Sequence, residues 1–167
     1  MNKLTLKVLT PQQNKVFYTI DDEKIKFKKD KYGHYIYELE TPAQTCELKV
    51  YKYLEVNSSF FWLWQMLFFF VSILGIFDRR LDKHCIAIEY IATITLTPDS
   101  VVTIRTNLNP NKKYAALTEA NTEIVEKKNA IFFDKKAKKR VKTLKILKAL
   151  VWVAVVFAAF FIIFNRS

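Results

Sequence analysis

The sequence has very little glycine: among its 167 residues only Gly33 and Gly75 occur. Loops that cradle phosphate groups need several glycines at fixed spacing, because the backbone must approach the phosphate closely. Two glycines so far apart cannot build such a loop. We therefore expect no nucleotide or dinucleotide cofactor.

Histidine and cysteine are as scarce, since His34, His84, Cys46 and Cys85 are the whole supply. A zinc site needs three or four such ligands at a usable spacing. His84 and Cys85 are adjacent, so on a strand they would point to opposite faces and could not form a catalytic pair. We expect no metal, no catalytic residue and no enzymatic activity.

The two cysteines are also too few for a disulfide scaffold. Two reduced, half-buried thiols in a cytoplasmic domain are the favoured interpretation. The alternative is a Cys46–Cys85 disulfide, which would require an oxidising compartment.

In place of chemical motifs, the sequence has two long uncharged runs, residues 56–77 and 149–165. A helix needs about 20 residues to cross a hydrocarbon core of about 30 Å. The second run, extended back to residue 147, predicts a C-terminal transmembrane helix over 147–164 that includes Trp152. With three residues following it, this helix is expected to act as a tail anchor.

A basic segment, 134–146, directly precedes that helix. Its charge, and the high pI of the whole chain, could attract nucleic acid, but the position beside an apolar helix favours anionic lipid. Positive charge flanking a membrane helix also marks the cytoplasmic side, which predicts that the C-terminus lies outside. The predicted anionic-lipid residues are Lys135, Lys136, Lys138, Lys139, Arg140 and Lys142.

The first uncharged run, taken as a hydrophobic helix over 58–77, is rich in aromatic residues. Tryptophan near one end of an apolar helix is typical of a membrane interface. The run is long enough to cross, so a full span and an interfacial or partly inserted helix both stay open. With Trp152, the predicted membrane- or partner-binding residues are Phe60, Phe61, Trp62, Trp64, Phe68, Phe69 and Phe70.

The remaining residues, 1–57 and 78–133, alternate between apolar and polar with the period of two that indicates half-buried strands. Neither part would bury enough core alone. We predict one antiparallel, β-sandwich-like domain of about seven strands, interrupted by the first hydrophobic helix. Within it, 86–96 and 102–108 are expected to form a hairpin with its turn at Thr97-Pro98-Asp99-Ser100. Residues 115–120 could be a helical turn, and 123–133 a small hairpin with its turn at Lys127-Lys128-Asn129.

These expectations describe a membrane-anchored protein that acts by binding, as an accessory or regulatory subunit of a membrane complex. Its partners would be anionic lipid and a membrane or cytoplasmic protein, or a second copy of itself, but not nucleic acid. One alternative is an immunity-type protein that neutralises a toxin or blocks a membrane protein. The other is a lipid-modifying enzyme, for which Glu55, Asp78, Asp82 and His84 are the available polar residues.

Overall fold

A computed structural model of the chain describes residues 1–9, 16–31, 33–52, 54–67, 71, 85–109 and 111–165. The chain divides into two compact units. We call Met1–Tyr53 with Ile86–Phe132 the β unit, and Leu54–Cys85 with Phe133–Ser167 the helical unit. Each unit is therefore assembled from two separate stretches of sequence.

The described residues of the chain contain ten strands, more than the predicted seven or so because two of them, β3 and β4, have only two residues each. They form two five-stranded sheets: sheet 1 in the order β4-β5-β1-β8-β9 and sheet 2 in the order β10-β7-β6-β2-β3. The prediction of a mainly β domain is confirmed. The strands are β1 Asn2–Val8, β2 Val16–Ile20, β3 Glu23–Lys24, β4 Lys28–Lys29, β5 Tyr35–Thr41, β6 Thr45–Lys52, β7 Ile86–Thr95, β8 Ser100–Thr106, β9 Ala116–Ala120 and β10 Ile124–Phe133.

The alternation seen in the sequence corresponds to burial along the strands. In β1 the side chains of Leu4, Leu6 and Val8 are buried and the residues between them are only half-buried. Strand β7 alternates in the same way over most of its length. One buried cluster draws on both sheets, with Leu6 from sheet 1 and Leu48 from sheet 2 among its members.

The antiparallel prediction was wrong for the pairing of β1 with β8. Strand β1 pairs antiparallel with β5 but parallel with β8, with Leu4 opposite Ser100 and Val8 opposite Ile104. A parallel pair needs a long connection, and here most of the β unit and the helical insertion separate β1 from β8. Alternation indicates which face of a strand is buried but not the direction of its neighbour.

The predicted hairpin over 86–108 was also wrong, because β7 belongs to sheet 2 and β8 to sheet 1. The turn between them was nevertheless correctly placed. The fully buried Ser100 hydroxyl accepts a 2.7 Å hydrogen bond from the Thr97 backbone N–H. The bond lies in the turn through which the chain passes from sheet 2 to sheet 1.

The two predictions for 115–133, a helical turn and a small hairpin, were both wrong. The stretch from 116 to 120 is strand β9, not a helical turn, and β10 runs from Ile124 to Phe133 without a turn. Asn129, read as a turn residue, lies within β10 and directs its amide at the backbone of β9. Its Oδ1 accepts hydrogen bonds from the N–H groups of Ala115 (2.7 Å) and Ala116 (3.1 Å), and its Nδ2 donates to the Ala116 carbonyl (2.8 Å).

The helical unit contains a 3-10 turn at Glu55–Asn57, a short helix α1 at Phe61–Leu67 and a long helix α2 at Lys135–Phe164. Helix α2 has 30 residues and includes both the basic segment and the apolar run. At the α-helical rise its length is about 45 Å. By length and composition it is the one helix among the described residues that could cross a membrane.

Candidate membrane-binding site

Helix α2 begins at a well-formed cap. Asp134 has an extended backbone, and its Oδ1 accepts a 2.9 Å hydrogen bond from the Ala137 N–H. A carboxylate at this position satisfies one of the free N–H groups of the first turn and interacts favourably with the helix dipole. Its second oxygen accepts from the Asn57 side-chain amide. The cap therefore also fixes the 3-10 turn that precedes α1.

The first three turns of α2 have two distinct faces. Ala137, Val141 and Leu144 are buried, and their spacing places them on one side of the helix. The predicted lipid-binding lysines are exposed and lie on the rest of the circumference. These exposed lysines are Lys135, Lys136, Lys138, Lys139 and Lys142.

Arg140 differs from these lysines because its guanidinium is bound to the protein. One terminal nitrogen donates to the backbone carbonyls of Val56 (2.6 Å) and Ser58 (3.0 Å). The guanidinium carbon also lies 6.0 Å from the centre of the Phe61 ring, a cation–π distance. Arg140 thus joins α2 to the chain segment that leads into α1.

Helix α1 presents apolar side chains to the surroundings. Of the predicted aromatic residues, Phe61 is 5% exposed and packs inside the helical unit, whereas Phe60 and Trp64 are 62% and 55% exposed. Trp62 is 36% exposed. The non-aromatic neighbours Leu63, Met66 and Leu67 are exposed as well. The predicted residues Phe68, Phe69 and Phe70 lie outside the described residues.

The apolar part of α2 is uncovered on all sides. No residue of its most apolar stretch is buried, and Trp152 is 49% exposed. No charged residue occurs from 149 to 165. In water, this surface would be far larger than the apolar patches that soluble monomers expose.

Of the scarce chemical groups, His34, Cys46 and Cys85 are among the described residues and His84 is not. Cys46 and Cys85 are both buried and form no disulfide, and burial, with the nearby Asp21 charge, raises the pKa of Cys46 to about 12. His34 is exposed between β4 and β5, where its ring nitrogen lies 3.3 Å from the carboxylate of Asp30. Within the described part of the chain, no three His, Cys, Asp or Glu side chains come together as a metal site.

The side chains of the four residues considered for a lipid-modifying enzyme are not described by the structure. Asp78, Asp82 and His84 are not among the described residues, and of Glu55 only the backbone is described. Asn57 and Asp134 were not singled out from the sequence as members of the site. An acidic residue directly before a helix is a known capping signal and could have identified Asp134.

Comparisons with protein-family models, with curated proteins and with solved structures find no match. The functional inference therefore depends on the geometry of the two units.

Proposed function

We propose that the chain is a non-enzymatic membrane protein, anchored by α2, whose β unit binds a protein partner as an accessory or regulatory subunit of a membrane complex. The observation that supports this most directly is the uncovered apolar surface of α2. Such a helix is stable in hydrocarbon, because its side chains are apolar and its backbone N–H and C=O groups are already hydrogen-bonded to one another.

The lysines at the base of α2 support an orientation and a lipid preference. Eight basic residues lie between Lys135 and Lys148, directly before the apolar stretch. This distribution favours retention of the base of α2 and of the β unit in the cytoplasm. Exposed lysines near a leaflet rich in anionic lipid each contribute about 1 kcal/mol of attraction.

The β unit supports a binding role more than a catalytic one. Because one buried cluster receives side chains from both sheets, we propose that the sheets pack as a sandwich. Strands β9 and β10 each end a sheet and carry exposed apolar side chains, including Leu117, Val125 and Phe132. Edge strands with exposed apolar residues are suited to binding another protein.

The anchoring is tested by expressing the chain in cells, washing the membranes with alkaline carbonate and floating them in a density gradient. We expect the native chain to resist the wash and float with the lipid. A Val155→Lys/Val156→Lys variant should be released, because each lysine at the centre of a membrane helix costs about 3 kcal/mol.

The matched control is Thr143→Lys, which adds a lysine at an exposed position of α2 outside the apolar stretch and should float like the native chain. Flotation separates membrane-bound protein from aggregates, which sediment. Release of the native chain by carbonate would overturn the proposed function.

A further inference from the structure

The strand pairing in the β unit limits how many times the helical insertion, residues 54–85, can cross a membrane. Strands from before and after the helical insertion are hydrogen-bonded neighbours in both sheets. In sheet 2, β6 pairs with β7 from Thr45 opposite Thr95 to Tyr51 opposite Glu89; in sheet 1, β1 pairs with β8. A sheet joined in this way lies on one side of a bilayer, because open sheet edges are not tolerated in hydrocarbon. Residues 54–85 must therefore leave and return on the same side.

The length of the apolar run then excludes a crossing. A chain that returns to its starting side crosses an even number of times, and two helical crossings need about 40 apolar residues. The uncharged run between Glu55 and Asp78 covers only residues 56–77. This is enough for one crossing and too short for two, so the number of crossings is zero.

Both ends of the segment are held at the base of α2. At its start, the carbonyls of Val56 and Ser58 accept hydrogen bonds from Arg140. At its end, the Cys85 carbonyl accepts a 2.9 Å hydrogen bond from the N–H of Asp134, the cap of α2. The segment thus begins and finishes beside the first turns of the same helix.

The position of Arg140 along α2 places this attachment near the membrane surface. Arg140 precedes the apolar stretch at residue 147 by seven residues, which is about 10 Å of helix. The headgroup layer on each side of a bilayer is about 5–8 Å thick. The start of α1 therefore lies close to the headgroups, where tryptophan is favoured.

We infer that α1 inserts shallowly into the leaflet at the base of α2 and does not cross the bilayer, so that the chain has a second membrane contact on the side of the β unit. The lipid-facing side chains are the exposed Phe60, Leu63, Trp64, Met66 and Leu67. This inference rests on the proposed function, since it requires α2 to span the membrane. Arg140 acts as a positioning residue that holds α1 at the correct depth.

Tryptophan fluorescence tests the inference directly, because the chain has only Trp62, Trp64 and Trp152. The Trp152→Phe variant reports on α1, and the Trp62→Phe/Trp64→Phe variant reports on α2. Each full-length variant is reconstituted into vesicles whose lipids carry bromine either near the headgroup or deep in the acyl chains.

We expect the two tryptophans of α1 to be quenched more strongly by shallow bromine than by deep bromine. Trp152 lies about 8 Å of helix beyond residue 147, so its fluorescence should be quenched more strongly by deep bromine than by shallow bromine. If no bromine position quenches Trp152, the proposed function fails. If Trp152 is quenched and the α1 tryptophans are not, α1 faces water or protein and the inference is overturned.

A stronger effect of deep bromine on the α1 tryptophans would also overturn the inference, since it would place α1 in the bilayer interior. The role of Arg140 is tested by Arg140→Lys in the Trp152→Phe background. Lysine keeps the charge but not the planar guanidinium, and we expect shallow quenching to weaken. The control Lys138→Arg, on the exposed face, should leave quenching unchanged. Equal quenching in both variants would refute the positioning role.

Discussion

At the scale of single residues, Asn129 shows how a polar side chain can join two sheets. It lies in the edge strand β10 of sheet 2, and its amide pairs with backbone groups at the start of β9 in sheet 1. Ala115 and Ala116 are fully buried, so their N–H groups have little access to water. A buried backbone group without a partner is costly, and Asn129 supplies that partner.

Replacing Asn129 should therefore destabilise the β unit. We expect Asn129→Ala to lower the free energy of unfolding by about 1–3 kcal/mol, because it leaves buried N–H groups unsatisfied. Asn129→Asp keeps an acceptor for the two N–H groups but places a carboxylate against the Ala116 carbonyl and the Glu126 carboxylate, to which Nδ2 donates in the native chain, so it should destabilise the β unit as well. Denaturant unfolding of the full chain in detergent, followed by the β signal in circular dichroism, measures both. Equal stability of Asn129→Ala and the native chain would contradict this role.

The role of Asn129 could not be predicted from the sequence, and neither could that of Arg140. Asparagine between two lysines and an alanine is a reasonable turn signal, and only the position of β9 makes it a strand residue. Arg140 lies in a run of lysines, where the sequence shows only charge. Its acceptors, Val56 and Ser58, are more than eighty positions earlier.

At the scale of elements, the sequence predicted where most strands lie, because each needs only a local alternation of apolar and polar residues. It did not predict which strands are neighbours. Strand β7 lies between β10 and β6, and β8 lies between β1 and β9, so the sheet to which each belongs depends on at least one partner that is distant in the sequence. Helix α2 was the most predictable element, since its apolar length alone indicates a membrane span.

At the same scale, the turn of the hairpin formed by β2 and β3 holds two aspartates in a backbone conformation that favours glycine. Its two central residues, Asp21 and Asp22, have φ values of +48° and +68°. This is the pattern of a type I′ turn, in which glycine is favoured at the second position. Asp22 is held there with an exposed ion pair to Lys49 at 2.7 Å, and exposed pairs contribute little.

We expect Asp22→Gly to be more stable than Asp22→Asn by about 0.5–1 kcal/mol. Both variants lose the charge that pairs with Lys49, so their difference isolates the backbone preference. Thermal unfolding of each full-length variant in detergent gives the comparison. An Asp22→Asn variant as stable as Asp22→Gly would mean that the turn carries no strain.

At the scale of the whole molecule, strands from before the helical insertion pair with strands from after it. The two halves of the β unit must therefore lie on the same side of the membrane. Glu23 lies before the helical insertion and Asn111 after it, and both are exposed. If the β unit is one body, a label that reaches one position must reach the other. The positive-inside distribution of charge predicts that both positions face the cytoplasm.

We therefore expect single Glu23→Cys and Asn111→Cys variants to resist a membrane-impermeant maleimide in intact cells and to react after permeabilisation. The native chain is the control: Cys46 and Cys85 are buried, and the raised pKa of Cys46 leaves little reactive thiolate at neutral pH. Labelling of Glu23→Cys alone in intact cells would place the two halves on opposite sides and contradict the single β unit. Labelling of both positions in intact cells would agree with a single β unit but would place that unit outside the cell. The predicted orientation would then be wrong, because it is inferred from the charge distribution alone.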